Sequence, residues 1–138
     1  MWKNAKGVVK PLDAPMAGYE NENAVFIART NFKDGVHPCK FVENFGCYVS
    51  YGGKEYSVTD FEYYTGSVKW VKCTNHQIPD GAIVAGHESD GKKLYIGRTE
   101  YQNMLITGKV GTHLAQGICI PYDGKEIELP SYEILVAF

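Results

Sequence analysis

The sequence predicts an all-β protein built from two related halves. Two observations support this prediction: an internal repeat, and strand-length apolar runs joined by tight-turn dipeptides. Residues 17–30 read AGYENENAVFIART, and residues 85–99 read AGHESDGKKLYIGRT. Both stretches open with Ala-Gly, place a Glu two residues after the Gly, and end in Arg-Thr after an apolar run. Self-similarity at a fixed spacing indicates a repeat architecture.

The similarity extends over nearly the whole chain. YGGKE at 51–55 matches YDGKE at 122–126, and FEYY at 61–64 matches YEIL at 132–135. Matching residues lie 68 to 71 positions apart, and they include Trp2 with Trp70, Pro11 with Pro79, Ala14 with Ala82, Gly18 with Gly86, Glu20 with Glu88, Arg29 with Arg98, and Lys40 with Lys109. Units of about this size bury only about 60% of their unfolded surface and are marginal alone. We therefore predict a single compact domain over 1–138, with repeat one at 1–66 and repeat two at 67–138 sharing a core about a pseudo-two-fold axis.

Each half contains strand and hairpin signals. NAVFIART at 23–30 and KKLYIGRT at 92–99 mix β-branched and aromatic residues at strand length. CYVSYGGKEYSV at 47–58 and CIPYDGKEIEL at 119–129 place Gly-Gly or Asp-Gly between two short runs. These dipeptides supply the positive φ angles that tight hairpin turns need. No helical stripe longer than two turns is present, so we predict a sandwich-like or barrel-like fold of short antiparallel strands.

Composition excludes several classes of protein. The formal net charge is −2 and the sequence pI is about 6.1, whereas a dedicated nucleic-acid binder normally shows a basic face. No apolar run approaches the length of a membrane span. The first residues, MWKNAKGVVKPLD, contain no apolar region of a secretory signal. We therefore expect a cytoplasmic protein, with secretion by a non-standard route as the alternative.

Neither the cysteines nor the histidines are kept at matching positions of the two halves. Cys39 aligns with Gly108, Cys47 with Ile118, Cys73 with about Ala5, and Cys119 with Tyr48, while His37, His76, His87 and His113 have no His partner. A metal cluster or a disulfide framework of the ancestral unit would have been copied, and no CxxC spacing occurs. We expect four reduced thiols packed as small hydrophobic groups, no metal site and no cofactor.

The polar residues that are copied point to a ligand site. A carboxylate beside an ammonium suits a sugar, because one hydroxyl can donate to the carboxylate while accepting from the lysine. The candidate pairs are Glu20 with Lys40 and Glu88 with Lys109. The alternative is that each pair is a surface salt bridge, which contributes about 0–1 kcal/mol.

Four neighbours of these residues are further candidates. Gly18 and Gly86 mark a bulge or a close approach of two backbones. Tyr19 and His87 are flat rings with a polar group, and such rings can lie against the apolar face of a ligand. The alternative is that both rings belong to half-exposed strand residues.

The copied arginines have a structural interpretation. Arg29 and Arg98 each end a strand in their repeat. We expect them to hold strand ends or buried carboxylates such as Glu62 and Glu133.

The motifs resemble those of a known family. Residues 78–110, IPDGAIVAGHESDGKKLYIGRTEYQNMLITGKV, followed by YDGKE and by YEILV at 132–136, resemble a DM-nine (DM9) repeat. That pattern has Trp-Val near its start, then Pro-x-x-Ala-Ile/Val-x-Ala/Gly-Gly-x-Asp. It continues with an aromatic strand ending in Gly-Arg-Ala, then Pro-Gly-Lys, Gly-Lys-Glu and Tyr-Glu-Val-Leu. The first half matches more weakly, with IART at 27–30 and HPCK at 37–40.

The resemblance implies a fold and a function. It implies an all-β protein of two tandem repeats, and several family members are mannose-binding lectins, often dimeric, that recognise microbes in invertebrate innate immunity. In those lectins the acidic residue after the Gly and the Lys of Pro-Gly-Lys hold the sugar. The resemblance thus implies a metal-independent, pattern-recognition lectin for mannose-type glycans, a homodimer with two sites per chain, at Glu20 with Lys40 and at Glu88 with Lys109.

The chain departs from the family pattern at both sites. The family acid is usually Asp, and both halves here have Glu. HPCK and ITGK, at 106–109, each lack one member of Pro-Gly-Lys. The longer side chain shifts the carboxylate, so the departures concern sugar specificity more than the fold.

Two other function classes stay open. The first is an intracellular protein-interaction module, or an infection- or stress-response module, that binds no sugar. The second is an enzyme, and a glycosidase would need two carboxylates about 5–10 Å apart. Glu20 and Glu88 would meet that need only where the two copies face each other closely. The sequence has no nucleophile–base motif, so we expect a protein that is not an enzyme.

Overall fold

The structure is a computed structural model that describes residues 1–9 and 11–137, and these residues form strands and turns without a helix. Among them, accordingly, no helix is long and apolar enough to cross a membrane. The strands are β1 Trp2–Lys6, β2 Met16–Glu20, β3 Asn23–Phe32, β4 Gly35–Val42, β5 Gly46–Tyr51, β6 Lys54–Val58, β7 Asp60–Tyr64, β8 Lys69–Thr74, β9 Val84–His87, β10 Lys93–Tyr101, β11 Met104–Val110, β12 Ile118–Tyr122, β13 Lys125–Leu129 and β14 Ser131–Val136. The predicted all-β class is confirmed.

The pairing of the last seven strands repeats the pairing of the first seven. In the first half β1 pairs with β7, β7 with β3, β3 with β2 and β4, β4 with β5, and β5 with β6. In the second half β8, β14, β10, β9, β11, β12 and β13 pair in the same scheme. All of these pairs are antiparallel. The predicted boundary between 66 and 67 lies between β7 and β8, where no strand crosses it.

The two halves interlock instead of standing side by side. They exchange strand pairings at three places: β2 with β11, β4 with β9, and β6 with β13. Eight strands close into an antiparallel barrel, in the order β4, β5, β6, β13, β12, β11, β10 and β9. Neither half can complete this barrel alone, so the halves are expected to fold together.

Two-residue turns close four hairpins. The β3–β4, β5–β6, β10–β11 and β12–β13 connections have positive φ at both central residues, which are Lys33 and Asp34, Gly52 and Gly53, Gln102 and Asn103, and Asp123 and Gly124. Positive φ at both positions is the requirement of a type I′ turn, whose twist matches that of the flanking strands. The Gly-Gly and Asp-Gly signals therefore mark hairpins, as the sequence predicts.

The hydrophobic core has one cluster in each half and a third that both halves share. The first half contributes a cluster around Phe26, Phe41 and Phe61, and the second contributes one around Ile106, Ile118, Ile120 and Ile134. The shared cluster consists of Ala17, Ile27, Ala85, Ile96 and Leu135. Full burial of an Ile or Leu side chain stabilises a fold by about 1.5–3 kcal/mol. Separating the halves would expose this shared cluster to water.

Candidate functional site

Gly18 and Gly86 lie where the backbones of the two halves approach most closely. A Cβ atom added to Gly18 would lie 2.1 Å from the carbonyl oxygen of Leu105 on β11. A Cβ atom added to Gly86 would lie 1.9 Å from the carbonyl oxygen of Val36 on β4. Only glycine fits at such distances. These contacts place Glu20 and Glu88, each two residues after its glycine, at the junction between the halves.

The first site is built around the buried ammonium of Lys40. Its side chain is 2% exposed. Nζ donates one hydrogen bond to Glu20 Oε1 at 2.6 Å and forms an ion pair with Glu55 Oε2 at 3.1 Å. The rings of Tyr48 and Tyr122 flank the ammonium, with centroids 5.4 and 5.6 Å from Nζ. Tyr122 belongs to the second half, so both repeats form the site. The predicted contact of Glu20 with Lys40 is present.

The two carboxylates of this site reach the surface although the lysine does not. Glu20 and Glu55 keep 19% and 13% of their side chains exposed. A buried ammonium requires such partners, because removing a charge from water costs several kcal/mol. Burial, followed by the charges of Glu55 and Glu20, raises the pKa of Tyr48. The Tyr48 hydroxyl therefore stays protonated, and it donates to the Phe45 carbonyl at 3.4 Å.

Crossed hairpins hold the second acidic residue of each site. The Gly124 N–H donates to Glu55 Oε1 at 2.9 Å, and the Gly53 N–H donates to Glu126 Oε1 at 3.2 Å. Each hairpin turn thus orients the glutamate of the other repeat. Glu55 and Glu126 are not among the site residues that the sequence predicts. Both end the copied motifs YGGKE and YDGKE, so the duplication marks them as it marks Glu20 and Lys40.

The second site is built around Lys109, which is 4% exposed. Its Nζ donates to the Ser50 carbonyl at 2.9 Å and to His37 Nδ1 at 3.3 Å, and it lies 3.6 Å from Glu126 Oε2. The Tyr51 ring lies over the ammonium at 5.2 Å. Ser50, His37 and Tyr51 come from the first half, so this site also needs both repeats.

The predicted direct contact of Glu88 with Lys109 is not formed. Glu88 Oε2 accepts a hydrogen bond from His113 Nε2 at 2.7 Å, and Oε1 lies 3.8 Å from His37 Nε2. Within the part of the chain that the structure describes, Lys109 forms its ion pair with Glu126 and none with Glu88. The physical reason is that the His37 imidazole lies between the two side chains. The duplication does not predict this position of His37, because repeat two has Ile106 at the matching place.

The two predicted ring residues lie at the surface beside the acidic residues. Tyr19 is partly exposed on β2 and lines a cleft of about 330 Å³ together with the β10–β11 turn. His87 is exposed on β9, and its Nδ1 lies 2.9 Å from the Glu88 carbonyl oxygen. His87 also lines a cleft of about 620 Å³. Both rings are accessible to a ligand.

Arg29 and Arg98 bind Glu62 and Glu133 as the sequence predicts, and each also connects the halves. The prediction that they end a strand is wrong, because β3 and β10 continue beyond them to Phe32 and Tyr101. Arg29 Nε donates to Glu62 at 2.8 Å and its Nη1 donates to the Ala85 carbonyl at 3.0 Å. Arg98 repeats this pattern across the pseudo-two-fold axis, with Glu133 at 2.9 Å and the Ala17 carbonyl at 2.9 Å. Trp2 and Trp70 stack on the two guanidinium groups at 4.1 and 4.2 Å.

The cysteines are four buried free thiols. Cys39 Sγ and Cys47 Sγ lie 2.9 Å apart on adjacent strands, and burial raises the pKa of Cys39. Reduction of all four in the native protein stays a prediction, which alkylation under non-reducing conditions would test. Among residues 1–9 and 11–137, no three His, Cys, Asp or Glu side chains are grouped so that they could hold a metal ion.

Comparison with known proteins agrees with the residue patterns. The family model described as the DM9 repeat matches residues 19–129 of the chain, a range that includes Tyr19, Glu20, Lys40, Glu88 and Lys109. Comparison with curated protein sequences gives no match.

Proposed function

Because the chain belongs to the DM9 repeat family, we propose that it is a metal-independent carbohydrate-binding protein for mannose-type glycans. The observation that supports this proposal best is the buried Lys40 ammonium between two carboxylates that reach the surface, at 2.6 and 3.1 Å. The lysine holds both carboxylates in fixed positions without a metal ion. Adjacent sugar hydroxyls then donate to carboxylate oxygens that are already oriented.

Aromatic groups complete the site for a sugar. Tyr48 flanks Lys40, and Tyr19 is exposed on the strand that carries Glu20. A pyranose ring has an apolar face that packs against such a side chain, while its hydroxyls turn to the carboxylates. Lys40 donates one N–H to Glu20 and lies 3.1 Å from Glu55 Oε2. Because an ammonium group has three donors, we propose that a further N–H of Lys40 donates to a ligand oxygen.

The arrangement supports binding in preference to catalysis. Glycoside hydrolysis needs one carboxyl group to give up a proton and another to act as nucleophile or base. Both carboxylates at Lys40 instead form ion pairs with one ammonium group, and Glu20 also accepts a hydrogen bond from it. We therefore propose a protein that is not an enzyme.

Weak sites become useful through multivalency. A monosaccharide with few buried apolar atoms binds with a Kd of about 1 mM, or about −4 kcal/mol. Linked sites raise avidity by about 10²–10⁴. We propose two sites per chain and a homodimer, which would cross-link glycan-coated microbes. Cytoplasmic location, or release by a non-standard route, belongs to this proposal.

A second candidate function is an intracellular module that binds protein partners and no sugar. Exposed apolar side chains favour it: Leu12 is 91% exposed, and Val8 and Phe45 are also exposed. Singly exposed apolar residues are common on monomers. For this reason the carbohydrate proposal takes precedence.

Calorimetric titration with methyl α-mannoside, with and without EDTA, tests the carbohydrate proposal. We expect a Kd of about 1 mM that chelation does not change, and weakened binding in Glu20→Ala. Glu22→Ala is the matched control, since Glu22 is exposed two residues further along. Absence of heat with mannoside, or loss of binding on chelation that calcium restores, would contradict the proposal.

A further inference from the structure

The imidazole of His37 joins the two charged residues of the second site. Nδ1 lies 3.3 Å from the Lys109 ammonium, and Nε2 lies 3.8 Å from Glu88 Oε1. The His37 side chain is fully buried. His37 lies on β4 of the first half, whereas Lys109 and Glu88 belong to the second. The second site is therefore incomplete without a side chain from the first repeat.

The surroundings of His37 determine where its proton lies. The Lys109 ammonium has donors only, so Nδ1 must accept from it and the proton of the neutral ring must be on Nε2. Burial, and then the charge of Lys109, lowers the pKa of His37 to about 4, against opposing effects of Glu88 and Glu126. The ring is therefore neutral near pH 7. Its Nε2–H group points to the Glu88 carboxylate.

This Nε2–H group has no partner. Nε2 is buried without a hydrogen bond, and 3.8 Å is too long for a direct bond to Glu88 Oε1. Buried donors are almost always satisfied. The gap is shorter than two hydrogen bonds of about 2.8 Å placed end to end. One oxygen atom can thus accept from Nε2–H and donate to Oε1.

We propose that His37 is a ligand-binding residue of the second site, where a sugar hydroxyl bridges its Nε2–H and the Glu88 carboxylate. The inference rests on the proposed function and names the donor of this site. In the first site Lys40 contacts Glu20 directly, because the counterpart of His37 is the apolar Ile106. The second site therefore uses a neutral donor. It selects neutral polyhydroxy ligands over sugar acids, because Glu88 and Glu126 both repel an anion.

The ligand role is tested in the Glu20→Ala background, which leaves the second site. NMR titration with methyl α-mannoside gives the Kd of this site for Glu20→Ala, Glu20→Ala/His37→Ile and Glu20→Ala/His37→Gln. Loss of one neutral hydrogen bond predicts binding weakened about tenfold by His37→Ile. We expect His37→Gln to stay within about threefold, because its amide both accepts and donates.

Two controls separate this inference from the proposed function. His37→Ile in the Glu88→Ala background should leave the affinity of the first site unchanged. Equal affinity of Glu20→Ala and Glu20→Ala/His37→Ile would show that His37 does not contact the sugar, which overturns the inference alone. Absence of mannoside binding by the wild type would overturn the proposed function and the ligand role with it.

The protonation of His37 provides a readout that needs no sugar. ¹⁵N NMR of the imidazoles should show the neutral Nε2–H form of His37 at pH 7. An Nδ1–H form would remove the donor, and a doubly protonated ring would leave Nδ1 unable to accept from Lys109. Either result would overturn the inference, whatever the titrations show.

Discussion

At the scale of single residues, buried lysines distinguish this protein. Lys40 and Lys109 are 2% and 4% exposed, yet each has charged or polar partners within 3.6 Å. A lysine at this depth is stable only while its partners remain. The same contacts that would orient carboxylates for a sugar thus also stabilise the fold.

The buried ion pair of Lys40 predicts a large effect on stability. Lys40→Met leaves Glu20 and Glu55 without their common partner, and breaking a buried pair costs about 3–5 kcal/mol. Lys3→Met is the matched control, because Lys3 pairs with Asp13 at the exposed surface. Solvent screens such a pair, so this substitution should change stability far less. Urea unfolding measures both. A Lys40→Met protein as stable as Lys3→Met would show that the Lys40 contacts contribute little.

The buried neutral His37 predicts a pH dependence of stability. Its pKa is lowered to about 4, whereas an unfolded histidine titrates near 6.5. Between these values the unfolded chain binds a proton that the folded chain does not. The free energy of unfolding therefore falls as the pH falls from about 6.5 to about 4, by about 3 kcal/mol in total.

His37→Gln has no such proton to bind, so its stability should depend less on pH across this range. Urea unfolding of both proteins at several pH values, at constant ionic strength, measures the difference. Parallel curves for wild type and His37→Gln would contradict the assignment of a buried neutral ring.

At the scale of strands, the crossings between halves depend on glycine. β2 meets β11 at Gly18, and β9 meets β4 at Gly86, with a carbonyl oxygen in the space of the missing Cβ atom. Neighbouring strands in a sheet lie only about 4.7–4.9 Å apart. A side chain at either glycine would push the halves apart.

Gly18→Ala should therefore destabilise the protein by about 3 kcal/mol or more, because the contact is with backbone and cannot move aside. Gly52→Ala is the control, since Gly52 has φ +59° and no atom within 4 Å of an added Cβ. Its cost should be about 1 kcal/mol, from the left-handed conformation alone. Thermal unfolding compares the two variants. A Gly18→Ala protein as stable as Gly52→Ala would mean that the close approach is absent.

The strand-level features that the sequence predicts are local ones. Gly-Gly and Asp-Gly mark the β5–β6 and β12–β13 turns because positive φ is a property of the residues themselves. The strand pairings between the two halves, in contrast, are not a local property of the residues. Glu55 and Lys40 both belong to repeat one, but the Glu55 carboxylate is oriented by the Gly124 N–H, which the pairing of β6 with β13 brings from repeat two. No spacing along one repeat contains that information.

The same distinction applies to the site residues: the sequence predicts what the two repeats share, but not what only one repeat contains. Glu20 and Lys40 are copied and they meet, so the duplication predicts their contact. Glu88 and Lys109 are copied equally well but do not meet, because His37 occurs in only one repeat. A repeat pattern finds what the halves share. It cannot reveal a side chain that only one half contains, such as His37.

At the scale of the whole molecule, each site needs both repeats. Tyr122 completes the first site and His37 completes the second. The shared core and the exchanged strands make the halves one folding unit. Duplication thus provides the fold with a partner for each half, and it also produces two sites that differ in one donor.

The central claim is that the chain has two carbohydrate sites, one at Glu20 and one at Glu88. It is tested most directly by NMR titration of ¹⁵N-labelled wild type, Glu20→Ala, Glu88→Ala and the double variant with methyl α-mannoside. We expect two separate groups of shifted resonances in wild type, one in each single variant and none in the double variant, with the fold retained. A double variant that binds like wild type would contradict the claim. It would show that these glutamates serve the structure alone.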